Sequence, residues 1–247
     1  MRALLAFFTV LPIAAPGPSL EEAARKAYLL PFVGLLVGLP GAALLLLAST
    51  IPPGVAATLA LGVTLLAAGL HHTDGVLDVG DALMVRESPL RRREVLKDAR
   101  VGVGAVGALF IVYAPSLASL AALADASPLR AATALLAGEV AARSAMLLLL
   151  VFGQPADASS SSLYFVRSLK RGSRRSAALV LGLALPPLIL LPLGWAALLL
   201  ALVAPAATTL FVLTLAKRAF GGISGDVAGA TGELARAVLL VALSAVL

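Results

Sequence analysis

The chain has 247 residues, of which 60% are hydrophobic and 13% charged, and its mean hydropathy is +1.02. This composition excludes an ordinary soluble domain, and the absence of cysteine excludes disulfide bonds and thiolate metal sites. Aromatic residues make up only 5% of the chain, too few for the girdles of a transmembrane β-barrel. We therefore predict an all-α, polytopic transmembrane bundle that forms a single integral membrane domain over residues 1–247.

The apolar segments, taken in chain order, are mostly long enough to cross a bilayer, which takes about 20 helical residues. The first, residues 3–13, is shorter and has no convincing signal-peptide cleavage site, so we expect a short interfacial or re-entrant helix there. The remaining segments predict about six or seven spans. The last of them is short, so whether it crosses the bilayer completely is left open. These segments are 29–48, 55–70, 101–120, 131–152, 177–193, 195–216 and 234–247.

Basic residues lie almost entirely between alternate apolar segments. Fifteen of them fall in 21–28, 71–100, 153–176 and 217–233, whereas the opposite connections hold Arg130 alone. Cytoplasmic loops of membrane proteins are enriched in Lys and Arg, so we expect these four segments, and with them the active face, on the cytoplasmic side of the cell membrane. The alternative for such charge runs is a solvated surface that touches anionic lipid headgroups.

Three regularly spaced carboxylates follow the second long segment. Asp74, Asp78 and Asp81 stand at i, i+4 and i+7, so on a helix they share one face and repel each other unless a cation lies among them. Their oxygens suit Mg²⁺, which takes one or two protein carboxylates together with substrate phosphate. Gly75 allows close approach beside this row. His72 is a candidate substrate contact, and the equal alternative is an interfacial histidine with a backbone partner. The alternative is an ordinary solvated acidic helix end.

The next polar segment interleaves acids and bases. Glu94 and Asp98 stand one helical turn apart, with Lys97 and Arg100 beside them. The two acids can hold a second metal ion or orient a nucleophile, and the two bases can neutralise phosphate charge.

The last polar segment is rich in glycine. Arg218 is followed by Gly222 and Gly225, whose backbone amides can be available to a phosphate group. Asp226 and Glu233 are seven residues apart and would share a helix face, which adds a possible contributor to a metal–phosphate centre.

One further pair of charges lies inside an apolar segment. Glu139 and Arg143 are one helical turn apart within residues 131–152. Ionisable groups at membrane depth are costly, so they are either paired with each other or functional. Both readings stay open at the level of the sequence.

Taken together, four blocks of the chain resemble the cobalamin synthase family, the adenosylcobinamide-GDP ribazoletransferases. Residues 72–81 resemble its His-Leu-Asp-Gly-Leu-Ala-Asp-Thr-x-Asp motif, and residues 94–102 are similar to its Glu-Ile-Met-Lys-Asp-Ser-Arg-Ile-Gly. Residues 222–230 resemble its Gly-x-Thr-Gly-Asp-x-x-Gly-Ala, and residues 7–13 its Phe-x-Thr-Arg-Leu-Pro-Val. The chain departs from the family pattern at Val10, where arginine is common, at Ala82, where glycine is usual, and over the serine-rich 153–176.

The resemblance implies transfer of the cobinamide-phosphate group of adenosylcobinamide-GDP to a ribose hydroxyl of α-ribazole or its 5′-phosphate, with release of GMP. The partners it implies are these small molecules and the lipid bilayer, with no nucleic acid; an oligomer stays possible. Asp98 or Glu94 would orient or deprotonate the attacking hydroxyl, while Lys97 and Arg100 would contact phosphate. The remaining roles are Mg²⁺ ligands, Asp74, Asp78, Asp81 and Asp226, and substrate contacts, His72, Gly75, Arg218, Gly222, Gly225 and Glu233.

Two other classes of protein compete with this reading. A CDP-alcohol phosphotransferase also uses helically spaced aspartates on a membrane helix, but it would have Asp-Gly-x-x-Ala-Arg where this chain continues from Asp74 without an arginine. A cation or metabolite transporter would place its acidic residues near the bilayer midplane, whereas here only Glu139 is expected to lie deep.

Overall fold

The computed structural model describes residues 1–11, 20–157, 160–170 and 172–247. Within these ranges the chain forms twelve α-helices and no β-strand, which confirms the predicted all-α fold. The helices are α1 (Arg2–Phe8), α2 (Leu20–Arg25), α3 (Leu30–Leu45), α4 (Pro53–Ala67), α5 (His71–Met84), α6 (Pro89–Val95), α7 (Val103–Ala126), α8 (Pro128–Phe152), α9 (Ser162–Leu169), α10 (Gly172–Leu190), α11 (Trp195–Phe220) and α12 (Gly225–Ser244).

Six helical segments in the described part of the chain are long and apolar enough to cross a membrane. They are α7, α8, α11, α12, and α3 and α10 extended by short 3-10 turns to Ala27–Ser49 and Gly172–Leu193. Helices α4 and α5 together make a seventh candidate, bent by 95° at a short break. The predicted six or seven spans are therefore confirmed.

Helix α8 is the centre of the bundle. All its residues from 137 to 150 are buried, and it packs against α3, α7, α10, α11 and α12. Small residues permit this packing, because a Cβ on Gly34 of α3 would collide with the carbonyl of Glu139. Such close backbone approach compensates for the weak hydrophobic drive between helices in lipid.

Four charged side chains are buried together inside this core. Arg143 and Arg236 each donate to Glu139, at 2.5 and 2.8 Å, and Arg236 also donates to Glu233. All four side chains are at most 1% exposed, and their two positive and two negative charges balance. The Glu139–Arg143 pair is therefore paired within the bundle, in a larger cluster that includes two residues of α12.

The carboxyl-terminal span begins earlier than predicted. Helix α11 continues to Phe220 and α12 starts at Gly225, so the predicted loop at 217–233 is mostly helical and α12 has 20 residues. Gly221, with φ of 77°, ends α11, and the Ser224 hydroxyl caps α12 by accepting the Val227 N–H at 3.2 Å. The prediction was wrong here because the polar residues of 225–236 lower the local hydropathy, although the charges of Glu233 and Arg236 are paired within the bundle.

The bend between α4 and α5 arises at two residues with left-handed backbone conformation. Gly69 has φ of 76° and Leu70 has φ of 61°, and the carbonyl of Leu70 accepts the N–H of Asp74 at 2.9 Å. Glycine adopts this conformation without steric cost, which favours it at the turn. The turn directs α5 away from α4 and onto α7 and α12.

The short amino-terminal helix is present as α1, with Ala3, Leu4 and Phe8 buried against the bundle. Residues 12 and 13 of the predicted segment lie outside the described ranges, as do residues 158, 159 and 171 of the predicted basic segment.

Candidate active site

The site is built where the first turns of α5 and α12 cross. A Cβ on Gly75 would lie 2.5 Å from the carbonyl oxygen of Asp226, and a Cβ on Gly229 would lie 3.1 Å from the Cα of His72. Glycine at both positions lets the two backbones touch. As a result Asp74 of α5 and Asp226 of α12, although 152 positions apart in the chain, line the same cavity.

Three cavities adjoin one another around this crossing. The aromatic cavity, about 320 Å³, is lined by residues that include Phe7, Phe8, His72, Asp74, Phe165 and Asp226. The serine cavity, about 240 Å³, is lined by residues that include Arg93, Lys97, Ser160, Ser161, Ser224 and Asp226. The acidic cavity, about 340 Å³, is lined by residues that include Asp74, Asp78, Asp81, Lys97, Asp98 and Arg100. Asp74, Lys97 and Asp226 each line two of the three, so they stand at the centre of the site.

The carboxylates at this centre are open to a cation. Asp74 and Asp78 accept no hydrogen bond from the described residues, and Asp226 accepts one from the Ser224 hydroxyl at 3.2 Å. The negative charges of Asp74, Asp226 and Asp81 all act on Asp78. No three acidic, His or Cys side chains of the described part converge as a closed metal cage. This donor set fits an ion such as Mg²⁺, which takes one or two protein carboxylates and completes its shell with phosphate and water.

Asp81, a predicted metal ligand, lines the acidic cavity and is also bonded to the start of α7. Its two carboxylate oxygens accept the N–H groups of Gly102 and Ala105, at 2.6 and 2.8 Å, and so cap the first turn of α7. The i+7 spacing places Asp81 on the same face as Asp74, but the start of α7 occupies that end of the row. Asp81 therefore joins α5 to α7 and holds the acidic row in place.

We expect Asp81→Ala to destabilise the protein by about 1–2 kcal/mol, the usual cost of deleting a helix cap. Asp81→Asn keeps an acceptor oxygen for one of the two amides and should retain most of this stability. Unfolding of the two purified variants in detergent, followed by circular dichroism, compares them directly. Equal stability of wild type and Asp81→Ala would show that the cap contributes nothing.

Asp98 lies in the loop before α7 and is held by Arg100. The guanidinium donates from Nε at 3.0 Å and from Nη2 at 2.6 Å, and these hydrogen bonds lower the pKa of Asp98 to about 2. Such a carboxylate is ionised at neutral pH and is a weak proton acceptor. Of the two predicted roles, the geometry favours orientation of a substrate group over its deprotonation.

Glu94, the other predicted acid, points elsewhere. It accepts a hydrogen bond from Arg91 at 2.7 Å on an exposed face of α6, and it lines none of the three cavities. Lys97, by contrast, lines both the serine and the acidic cavities and lies 3.8 Å from Asp157. Of the four predicted catalytic residues, Glu94 therefore lies outside the site, whereas Lys97, Asp98 and Arg100 line its cavities.

The predicted substrate contacts also divide. His72 and Gly225 line the aromatic cavity, and Gly75 makes the helix crossing beside it. Arg218 is exposed in the last turn of α11 and lines none of the three cavities, and Glu233 is buried in the charged cluster. These last two positions do not reach the cavities in this structure.

Gly222 packs against the loop that follows α8 and does not line the three cavities. A Cβ there would lie 2.5 Å from the carbonyl oxygen of Gln154, so only glycine permits this contact. The next residue, Ile223, donates to Gln154 at 2.8 Å and accepts from Ala156 at 2.9 Å. Gly222 thus joins the loop after α8 to the start of α12.

Several residues that line the three cavities were not singled out by any pattern in the sequence. Arg93 belongs to a run of three arginines that is equally well explained as a topology anchor, yet it donates to the Phe220 carbonyl at 2.9 Å and lines the serine cavity. Ser161 and Phe165 lie in the segment that has no counterpart in the family motifs, and both line the aromatic cavity.

A hydrogen-bonded chain connects the site to the buried charged cluster. Tyr113 donates to Glu233 at 2.9 Å, and its hydroxyl lies 2.8 Å from that of Thr73. His72 Nδ1 is 4.0 Å from Glu233 Oε1. The first turn of α5 is therefore anchored to α7 and α12 directly beneath the carboxylates.

Comparison with known proteins places the whole chain in one group. The family model described as cobalamin-5-phosphate synthase matches residues 1–244. The chain is 35% identical to the adenosylcobinamide-GDP ribazoletransferase of Azorhizobium caulinodans, over 97% of this chain and 92% of that protein. It is 37% identical to the protein of the same name from Halorubrum lacusprofundi, over 97% and 94% of the two chains. No solved structure matches.

Proposed function

Because the chain belongs to the cobalamin-5-phosphate synthase family, we propose that it is an adenosylcobinamide-GDP ribazoletransferase. A ribose hydroxyl of α-ribazole, or of its 5′-phosphate, attacks the phosphorus that carries cobinamide. The new P–O bond joins the nucleoside to cobinamide phosphate, the P–O bond to GMP breaks, and the hydroxyl proton passes to a base or to solvent. This is the final assembly of the cobalamin nucleotide loop.

The meeting of Asp74, Lys97 and Asp226 at the junction of three cavities is the observation that supports this proposal best. The reaction brings together a diphosphate, its leaving nucleotide and an attacking nucleoside, so it needs adjoining spaces around one charged centre. Positioning and electrostatic stabilisation supply most of the catalysis in phosphoryl transfer.

We propose that Asp74 and Asp226, which line one cavity, would hold Mg²⁺, with Asp78 adding negative charge beside Asp74. When bound, the ion would supply positive charge that offsets the charge of the diphosphate and of the departing GMP. Lys97 is 71% exposed at the edge of the serine and acidic cavities, where its ammonium group can reach phosphoryl oxygens. Arg93 and Arg100 add positive charge on the two sides of it.

The proposed location is the cytoplasmic face of the cell membrane. The carboxyl ends of α8 and α11 and the amino ends of α7 and α12 surround the site, and its cavities are lined by basic residues of the predicted cytoplasmic segment 71–100, namely Arg93, Lys97 and Arg100. At the far end Arg130 bonds the carbonyl of the carboxyl-terminal Leu247. This arrangement agrees with the positive-inside distribution.

The competing classes have less support. The buried charges of α8 and α12 are paired with one another and do not line the three cavities, unlike the path of a transporter. The family match over residues 1–244 argues against a CDP-alcohol phosphotransferase.

Turnover by the detergent-purified chain tests the proposal. With adenosylcobinamide-GDP, α-ribazole and Mg²⁺, GMP and the corrinoid product should appear in equal amounts, and chelation of the metal should stop both. A folded protein that forms neither product would overturn the proposal. CDP-alcohol substrates and cation flux in sealed vesicles would then be measured.

A further inference from the structure

Part of the lining of the aromatic cavity is apolar. Phe7 and Phe8 of α1 and Phe165 of α9 form a cluster whose ring centroids are 4.9, 5.6 and 5.8 Å apart. Met146 and Leu150 of α8 add to this apolar lining. Three segments distant in the chain thus meet to form a pocket for a ligand group with little polarity.

The same cavity also reaches the proposed metal centre. Asp74 and Asp226 line it, together with Ser161. A molecule that fills the cavity therefore extends from an aromatic wall to the carboxylates. This polarity fits a ligand with a flat apolar group at one end and a reacting hydroxyl at the other.

His72 lines the cavity beside Phe8. Its ring centroid is 6.0 Å from that of Phe8, and its side chain is 7% exposed. Its Nδ1 and the nearby Glu233 Oε1 are buried without a hydrogen-bond partner among the described residues. This nitrogen therefore faces the buried charged cluster, and Nε2 is the ring nitrogen through which His72 can contact a ligand in the cavity.

We propose that the aromatic cavity binds the base of the nucleoside acceptor, with the reacting ribose hydroxyl directed toward Asp74 and Asp226. This inference rests on the proposed function and adds the subsite for one substrate. The base of α-ribazole is a benzimidazole, a flat bicyclic group with hydrocarbon edges and one ring nitrogen left for a hydrogen bond. Bases of this kind stack on aromatic side chains, and His72 is placed to contact the ring nitrogen.

The other parts of the two substrates fit this cavity less well. Guanine presents several donors and acceptors at its edge, which would lose hydrogen bonds against Phe7, Met146 and Leu150. The serine cavity, with Arg93 and Ser160, offers guanine better partners. The corrin ring is far too large for a space of about 320 Å³.

Steady-state kinetics of Phe165→Ala and Phe165→Leu test the inference. Loss of the ring should raise KM for α-ribazole about tenfold, within the range measured for removal of one stacking partner. KM for adenosylcobinamide-GDP should stay within about twofold, because no predicted contact to it changes. Phe110→Leu is the matched control, since Phe110 is 70% exposed on α7 and lines none of the three cavities.

Free 5,6-dimethylbenzimidazole gives a second readout on the unaltered protein. It should inhibit competitively against α-ribazole and not against adenosylcobinamide-GDP. Competition against the corrinoid substrate, or an unchanged KM for α-ribazole in a folded Phe165 variant, would overturn the inference.

The subsite and the proposed function fail in different ways. If the wild type releases no GMP, the proposed function is refuted. Calorimetric measurement of α-ribazole binding then tests the proposed base-binding cavity by itself. If α-ribazole binds the wild type and binds Phe165→Leu more weakly, the inference is supported. If α-ribazole does not bind the wild type, the inference is overturned.

Discussion

Asp226→Asn is expected to reduce GMP release by about 10²–10³-fold, the typical effect of removing one preorganised electrostatic contact at a reacting centre. Asp226 lines both the aromatic and the serine cavities, so its charge lies between the proposed positions of acceptor and leaving nucleotide. Asparagine keeps the shape of the side chain and removes the charge. The Mg²⁺ concentration for half-maximal rate should rise in the same variant, because one proposed ligand is lost.

Asp125→Asn serves as the control for this prediction. Asp125 is exposed near the carboxyl end of α7, whose amino end lies at the site, so the two positions are separated by most of a span. Full GMP release by a folded Asp226→Asn protein would remove Asp226 from the catalytic centre. An equal loss in Asp125→Asn would show that charge anywhere on the protein has the same effect.

Arg236→Met should be the most destabilising single change in the bundle, by about 3–5 kcal/mol. Arg236 is the only side chain that bonds both Glu139 and Glu233 in the described structure, so its removal leaves buried negative charge without compensation. Methionine keeps much of the volume, which separates loss of charge from loss of packing. Unfolding by sodium dodecyl sulfate in mixed micelles, followed by circular dichroism, gives the difference.

The double variant Arg236→Met/Glu233→Gln tests whether the loss of stability comes from uncompensated charge or from lost packing. Glu139 still accepts from Arg143, so Glu233 is the carboxylate left uncompensated, and removing its charge should recover part of the lost stability. Arg91→Met is a surface control, because its pair with Glu94 is about half exposed and such pairs contribute little. A double variant less stable than Arg236→Met alone would contradict the ionic explanation.

Hydropathy and charge distribution predicted most of the spans because length and polarity act locally along the chain. They failed at α12, where Glu233 and Arg236 made the first half of a span resemble a loop. The compensation for those charges comes from Glu139 of α8, almost 100 positions earlier, and no local pattern contains it.

The site shows the same division between local and distant information. The spacing of Asp74 and Asp78 was enough to predict an acidic face, and the family motifs joined Asp226 to it. Helical periodicity could not reveal that the amides of Gly102 and Ala105 occupy Asp81. Nor could it reveal that Phe7 and Phe165 share a wall, because that contact depends on tertiary packing.

The pairing of the buried charges bears on how the helices enter the bilayer. Glu139 and Arg143 neutralise one another on α8, and Glu233 and Arg236 do so on α12, each within one helical turn. Each helix can therefore insert during synthesis with no net charge in its interior. The bond from Arg236 to Glu139 forms only when the two inserted helices associate. It therefore favours this one pairing of α8 with α12 over other arrangements of the inserted helices.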